Sequence, residues 1–81
     1  MYCVYLLESL IDPSKRYVGF TAKGVQARLE EHNAGKSIHT NKHKPWKCMV
    51  CVTFESKEKA EKFEMYLKHG SGHAFAKKHF W

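Results

Sequence analysis

The feature that most constrains this chain is a hairpin signal at its N-terminal end. Two short, mainly apolar stretches, Tyr2 to Glu8 and Arg16 to Phe20, lie on either side of the turn signal Asp12-Pro13-Ser14. In the first, Tyr2, Val4 and Leu6 would share one face of a strand, and Cys3, Tyr5 and Leu7 the other. This pattern is typical of two antiparallel strands joined by a tight loop. With a loop of about five residues, we expect Tyr5 to lie roughly opposite Tyr17 on the neighbouring strand.

The segment after the hairpin has the spacing of an amphipathic helix. It starts near Thr21 to Gly24 and ends at Asn33-Ala34-Gly35, a helix C-terminal signal. Arg28 and His32 are four residues apart and therefore share one side of this helix. That side lies at the edge of the predicted apolar stripe, formed by Ala22, Val25 and Leu29. Both polar side chains are therefore expected to face the sheet.

A third strand and two further helices complete the pattern. The strand covers Trp46–Phe54, and strict alternation predicts one shared face for Trp46, Cys48, Val50, Val52 and Phe54. Ser56 is suited to cap the next helix. Glu64 lies on that helix beside its predicted buried stripe, Ala60, Phe63 and Leu67. Gly70-Ser71-Gly72 interrupts the helix, and residues 73–81 are compatible with a last short helix.

This order of elements predicts the fold class. We expect an α+β protein with a three-stranded antiparallel sheet flanked by helices, in the order β-β-α-β-α-α. At 81 residues, the chain is expected to form one domain over residues 1–81. The sequence contains no apolar run long enough for a membrane span and no secretory signal pattern, so we expect no membrane association and a cytoplasmic location.

Positive charge is concentrated in two parts of the chain. The net charge is +6, and no acidic residue occurs between His32 and Phe54 or after Glu64. Such a surface is suited to a polyanion, most commonly nucleic acid, although charge alone is also compatible with a merely soluble basic surface. The expected phosphate contacts are the lysines of the first basic segment, Lys36, Lys42, Lys44 and Lys47.

The three cysteines do not indicate a metal or redox site. Cys48 and Cys51 form a CxxC motif, but they lie in a predicted strand, where an offset of three places side chains on opposite faces. No second CxxC or HxxxH motif accompanies them. We therefore expect buried thiols, as found in a reducing compartment.

The ordered set of polar residues resembles the GIY-YIG nuclease domain family, in particular its small stand-alone bacterial members and related structure-specific members. The first motif of the family falls on Cys3-Val4-Tyr5 and the second on Tyr17-Val18-Gly19. The helical arginine and histidine of the family fall on Arg28 and His32, and its metal-binding glutamate falls on Glu64. Each residue taken singly fits an ordinary packing or surface role, and only their joint order indicates a site.

The resemblance implies a metal-dependent DNA endonuclease that acts on structured or damaged DNA. Tyr5 and Tyr17 would line one site, where one activates the attacking water and the other helps to position it. Arg28 would hold the phosphate, His32 would bond a tyrosine or relay its proton, and Glu64 would bind one Mg²⁺ or Mn²⁺. The residues alone do not decide which tyrosine is the base.

The chain departs from the family pattern at three points. Cys3 stands at the usual first glycine, which a strand tolerates, Phe20 follows Gly19 where some members have a lysine, and no asparagine follows Glu64. The missing lysine and asparagine are consistent with the alternative, a DNA-binding module with little or no turnover. A third hypothesis, a protein-interaction domain, rests only on the exposed aromatic tail. Gly19 is expected to contact nucleic acid, because glycine inside a strand often marks the close approach of another group to the backbone.

Overall fold

The computed structural model describes all residues 1–81 and confirms the predicted order of elements. The strands are β1 (Tyr2–Ser9), β2 (Arg16–Thr21) and β3 (Trp46–Phe54). The α-helices are α1 (Val25–Asn33), α2 (Lys57–Lys68) and α3 (Gly70–His79), and one 3₁₀ turn covers Asn41–His43. None of these helices is long and apolar enough to cross a membrane.

The sheet is antiparallel, with β1 in the centre and the order β2-β1-β3. Tyr5 lies opposite Gly19, and Tyr17 lies opposite Leu7. The expected direct pairing of the two tyrosines is therefore wrong by two positions, and they are diagonal neighbours on the same face. The reason is the loop, which includes residues 10–15 and closes with a bond from the Ser9 amide to the Lys15 carbonyl of 3.0 Å.

A β-bulge in β3 changes the face of the sheet on which its alternate residues lie. Leu6 pairs with Val50, but Leu7 pairs with Cys48, so Met49 is an extra residue in the ladder. The prediction that alternate residues from Trp46 to Phe54 share one face is therefore wrong. Trp46 and Cys48 pack on the same side as Tyr5 and Leu7, whereas Val50 and Phe54 pack on the other.

The two faces are covered by different helices. On one face, Tyr5, Leu7 and Trp46 pack against Val25 and Leu29 of α1. On the other face, Val4 and Leu6 pack against buried residues of α2 and α3, namely Ala60, Leu67 and Ala76. The central strand is buried on both sides because it contributes alternate residues to both layers.

The cysteines differ from the prediction of buried thiols. A disulfide joins Cys3 on β1 to Cys51 on β3, and Cys48 is the one free cysteine. Because of the bulge, Cys48 and Cys51 lie on the same face of the sheet, opposite Leu7 and Tyr5 respectively, and not on opposite faces.

The ends of the helices follow local chemistry. α1 begins at Val25 after Gly24, later than its earliest predicted start, because Thr21 continues β2 and its hydroxyl accepts a bond from the Lys23 amide (3.0 Å). Ala22 is consequently exposed and does not belong to the apolar stripe. The predicted cap of α2 is confirmed, since the Ser56 hydroxyl accepts a bond from the Lys59 amide (3.2 Å).

Candidate active site

A hydrogen-bonded chain of three buried side chains connects β1, α1 and the following loop. The Tyr5 hydroxyl lies 2.9 Å from Nε2 of His32, and Nδ1 of His32 lies 2.6 Å from the Thr40 hydroxyl. His32 and Thr40 are fully buried, and Tyr5 is 1 % exposed. Both ring nitrogens are therefore occupied, which fixes the orientation of the imidazole.

Burial sets the protonation states of this chain. It raises the pKa of Tyr5 to about 12, against smaller lowering effects from Arg28. It also lowers the pKa of His32, with the nearby Arg28 charge acting in the same direction. A phenol and a neutral imidazole result, so one of the two ring nitrogens donates and the other accepts in the bonds to Tyr5 and Thr40.

Tyr17 lies beside this chain without joining its hydrogen bonds. Its ring centroid is 6.3 Å from that of Tyr5 and 5.2 Å from that of His32. The side chain is partly buried, and its hydroxyl has no hydrogen-bond partner within the chain. Tyr17 is therefore the phenol whose oxygen is free for a ligand.

Gly19 is a glycine because of Tyr5. A Cβ atom at position 19 would collide with the phenol end of Tyr5 and would lie 2.8 Å from a ring carbon of Tyr17. The group that approaches this backbone is thus a side chain of the same protein, and the residue is buried. The structure gives Gly19 a packing role, which the sequence did not predict, and a nucleic-acid contact there stays a prediction.

Arg28 is held at the edge of the site. Its guanidinium donates to the Glu31 carboxylate at 2.5 Å, and its side chain is 33 % exposed. This bond with Glu31 is the main reason that the pKa of Arg28 is raised, and Tyr5 adds to the effect. Arg28 therefore lies close enough to affect Tyr5 and still presents part of its guanidinium to solvent.

Glu64 approaches from α2, on the other layer of the protein. Its carboxylate pairs with Lys68 at 3.2 Å, and the Lys68 ammonium lies 5.9 Å from the centre of the Tyr17 ring. The negative charge of Glu64 is also one of the smaller causes that raise the pKa of Tyr5. Arg28 and His32 therefore lie beside the two tyrosines, and Lys68 links Glu64 to the ring of Tyr17.

The residues present fit a single, weakly held divalent cation. The chain contains no group of three histidine, cysteine, aspartate or glutamate side chains close enough to hold a metal ion. Only one oxygen of Glu64 is bonded, to Lys68, and the side chain is 20 % exposed. Mg²⁺ commonly keeps several waters and binds one carboxylate together with a substrate phosphate. Glu64 offers the one carboxylate of such a donor set.

The four predicted phosphate-binding lysines are all exposed. Lys36, Lys42 and Lys44 lie in the loop that also contains Thr40, and Lys47 at the start of β3 is 3.9 Å from Glu8. The loop is therefore attached to His32 through Thr40 while its lysines face solvent. Their contact with nucleic acid stays a prediction.

Sequence reasoning did not identify Thr40, Glu31 or Lys68. Thr40 lies in a loop without periodicity, where no local pattern marks a residue that bonds a histidine in the preceding helix. Glu31 and Lys68 follow Arg28 and Glu64 by three and four residues, a spacing that predicts ion pairs on a helix. The helical pairs were therefore detectable from spacing, and the threonine was not.

Comparisons with known proteins found similar sequences. The chain is 40% identical over 76 residues to the "Structure-specific endonuclease subunit SLX1" of Debaryomyces hansenii, covering 84% of this chain and 21% of that protein. It is 36% identical over 73 residues to the protein of the same name from Podospora anserina, covering 83% and 21%. The chain thus spans about a fifth of these relatives, which are fungal and not small bacterial proteins.

The sequence pattern of the GIY-YIG catalytic domain matches residues 1–78, almost the whole chain. This range includes both tyrosine motifs, Arg28, His32 and Glu64. The chain belongs to the GIY-YIG catalytic domain family.

Proposed function

We propose that this protein is a divalent-metal-dependent DNA endonuclease that hydrolyses phosphodiester bonds. One observation carries the proposal: an accessible phenol, a partly exposed guanidinium and a single partly exposed carboxylate surround one buried tyrosine–histidine pair. Hydrolysis of a phosphodiester requires a base for the water, donors for the phosphate and charge neutralisation for the leaving oxygen. The phenol would supply the base and the guanidinium the donors, whereas the carboxylate would neutralise charge only through a divalent cation that it holds.

Tyr17 is the base in this proposal. Its hydroxyl has no partner in the chain, whereas the Tyr5 hydroxyl is buried and bonded to His32. Tyr17 first gives its own proton to solvent, and as the phenolate it takes the proton of the attacking water and becomes a neutral phenol again. Arg28 donates hydrogen bonds to the phosphate. Tyr5 acts as a positioning residue, because its ring lies against Gly19 and Tyr17 and is held there by His32.

Glu64 is the residue that would hold one Mg²⁺ or Mn²⁺. When bound, such an ion polarises the phosphate and stabilises the departing oxygen. Lys68 is paired with the same carboxylate and would have to move aside or turn to the phosphate. Because no second carboxylate shares the site, we expect the affinity for metal to depend on the bound DNA.

The proposed substrate is structured DNA. The relatives are named structure-specific endonuclease subunits, and the chain has little surface with which to read bases. Contacts to phosphates and to DNA shape should therefore dominate recognition. The lysines of the loop after α1 are the expected phosphate contacts, namely Lys36, Lys42 and Lys44, together with Lys47.

The test is nicking of plasmid and branched DNA with and without Mg²⁺ or Mn²⁺, by wild type and by Glu64→Gln. Glu61→Gln is the matched control, because Glu61 is exposed on the same helix and has no ion-pair partner. We expect nicking to require the metal, to be abolished in Glu64→Gln and to be unchanged in Glu61→Gln. DNA binding by Glu64→Gln should be equal or tighter, because a negative charge is removed beside the phosphate.

The second candidate is a DNA-binding module with little or no turnover. The ion pair between Glu64 and Lys68 favours it, since Lys68 competes with a metal for the carboxylate. Salt-sensitive DNA binding without nicking on any substrate would select this function. Equal nicking by wild type and Glu64→Gln would remove Glu64 from the mechanism and with it the proposed metal site.

A further inference from the structure

An open cavity of about 520 Å³ lies next to the candidate active site, between β2 and the ends of α2 and α3. Its volume is in the range of small-molecule binding sites. Tyr17 belongs to both places, since it lines the cavity and lies against Tyr5 and His32. Lys68 is also shared, because it lines the cavity and pairs with Glu64. The cavity therefore borders the proposed reaction centre at Tyr17 and Lys68.

The cavity has a strongly basic wall. Arg16, Lys68, His73 and Lys77 line it, and no carboxylate side chain does. Arg16 and Lys68 each have a glutamate partner, at 3.4 Å and 3.2 Å respectively. Lys77 has no carboxylate within 4 Å and no hydrogen-bond partner for its ammonium. Lys77 is thus the uncompensated charge of the cavity, and an anionic group is its natural ligand.

The same cavity also has flat surfaces. The Arg16 guanidinium lies 4.9 Å from the centre of the Trp81 ring, so the two groups form a cation–π pair. Trp81 is only partly buried and packs against the core beneath α3. Aromatic rings and guanidinium planes are the surfaces on which proteins stack unpaired bases.

We propose that this cavity binds the nucleotide next to the scissile phosphate, with the phosphate on Lys77 and the unpaired base against Trp81 and Arg16. The inference rests on the proposed endonuclease function for the identity of the neighbouring site. A base must leave the stack to enter the cavity, so the preferred cleavage positions lie next to an unpaired nucleotide. The four lysines assigned to phosphates, three in the loop after α1 and Lys47 in β3, lie outside the cavity, so this contact is additional to theirs.

The test compares Lys77→Gln with Lys78→Gln. Both residues are exposed neighbours on α3 and both changes remove one positive charge, but only Lys77 lines the cavity. Binding of labelled oligothymidylate is measured by fluorescence anisotropy in metal-free buffer. Lys77→Gln should bind about tenfold more weakly than wild type, because it loses one charge-assisted contact. Lys78→Gln should bind less than about twofold more weakly, because an exposed charge is screened. The difference in affinity between the two variants should be smaller when the oligothymidylate is fully paired with a complementary strand.

A second measurement reports on the base. Oligothymidylate should quench the tryptophan emission of wild type, and Trp81→Phe should lose this quenching because the other tryptophan, Trp46, is only 4 % exposed. Circular dichroism tests whether Trp81→Phe is folded. If this variant is not folded, the binding of the two lysine variants alone tests the proposal. Equal losses in the two lysine variants, quenching that persists in folded Trp81→Phe, or no binding by wild type at low salt would each overturn the proposal.

These outcomes are separable from those for the proposed function. If wild type does not nick DNA but Lys77→Gln binds oligothymidylate clearly more weakly than Lys78→Gln, the endonuclease function is refuted and the nucleotide site is supported. Metal-dependent nicking with equal losses in the two lysine variants refutes the nucleotide site alone.

Discussion

The two halves of the candidate site are built differently. The half formed by Tyr5, His32 and Thr40 is almost fully buried, and each side chain has its partner within the protein. The half formed by Glu64 and Lys68 is partly exposed and is held by one ion pair across a single helical turn. The first half is part of the core, and the second lies on its surface.

This difference indicates how the site is assembled. Buried, satisfied hydrogen bonds keep the tyrosines in place before any ligand arrives. An exposed ion pair contributes little stability and exchanges partners readily, so under the proposed function Glu64 would give up Lys68 when a phosphate and a metal bind. The half formed by Tyr5, His32 and Thr40 is therefore preorganised, whereas the half on α2 would change partners when substrate binds.

The largest effect should come from breaking the buried half. His32→Ala removes two buried hydrogen bonds and leaves a cavity, which should lower the free energy of unfolding by about 3 kcal/mol. Glu64→Gln should lower it by less than about 0.5 kcal/mol, because it loses only a surface ion pair. Urea unfolding of both variants measures the contrast, and similar losses would show that the halves do not differ in this way.

Gly19→Ala should have the next largest effect. The added methyl group collides with Tyr5, so we expect a loss of about 2 kcal/mol in the free energy of unfolding and displacement of the tyrosine. Gly24→Ala is the control, because a Cβ atom there meets nothing within 4 Å, and it should cost only about 0.5 kcal/mol at the helix cap. Unchanged stability in Gly19→Ala, measured by urea unfolding, would argue against the packing role.

Thr40→Val should have a smaller effect on the same chain of hydrogen bonds. The change keeps the shape of the side chain but removes the hydrogen-bond partner of His32 Nδ1. The free energy of unfolding, measured in urea, should fall by about 1 kcal/mol. The nicking rate should also fall, because Tyr5 is held less firmly. Thr40→Ser keeps a hydroxyl and should restore the nicking rate. If serine and valine variants nick DNA at the same rate, the hydroxyl has no part in positioning the tyrosine.

The smallest effect concerns pH. The pKa of His32 is lowered by burial from its usual 6.5, so in mildly acidic solution the unfolded chain binds a proton there that the folded protein does not. The stability contributed by neutral His32 is complete above pH 6.5 and decreases as the pH falls below it. Wild type should therefore lose more stability than His32→Ala between neutral and mildly acidic pH, as measured by urea unfolding. Parallel losses would contradict a buried neutral imidazole.

Much of the fold was predictable because its signals are local. The alternation in the hairpin, the C-terminal signal at Asn33-Ala34-Gly35 and the cap at Ser56 each depend on neighbouring residues, and the structure contains all three. The helical spacing of Arg28 and His32 likewise placed both on the tyrosine side. Local signals were thus sufficient for the order of the elements and for part of the site.

The remaining features depend on contacts distant in sequence. The register between Tyr5 and Gly19 follows from the loop length that the folded hairpin adopts, and the bulge at Met49 becomes visible only when β3 pairs with β1. Thr40 finds His32 because Asn33 bonds the backbone of Trp46 through both atoms of its amide, which brings the two ends of the loop together. No short segment of the sequence contains both partners of these contacts, so local patterns do not reveal them.

The bulge at Met49 also bears on which insertions and deletions this domain tolerates. A change of length in the exposed turn between β1 and β2 alters only a surface turn at first order. Removal of Met49 would make the ladder regular and keep every other pair, because Leu6 already pairs with Val50 and Leu7 with Cys48. Removal of one residue elsewhere in β3 would instead exchange the faces of every residue on one side of it. Trp46 would then leave the layer that supports Tyr5, or Phe54 would leave the layer beneath α2. We therefore expect β3 to tolerate the loss of Met49 better than the loss of any other of its residues.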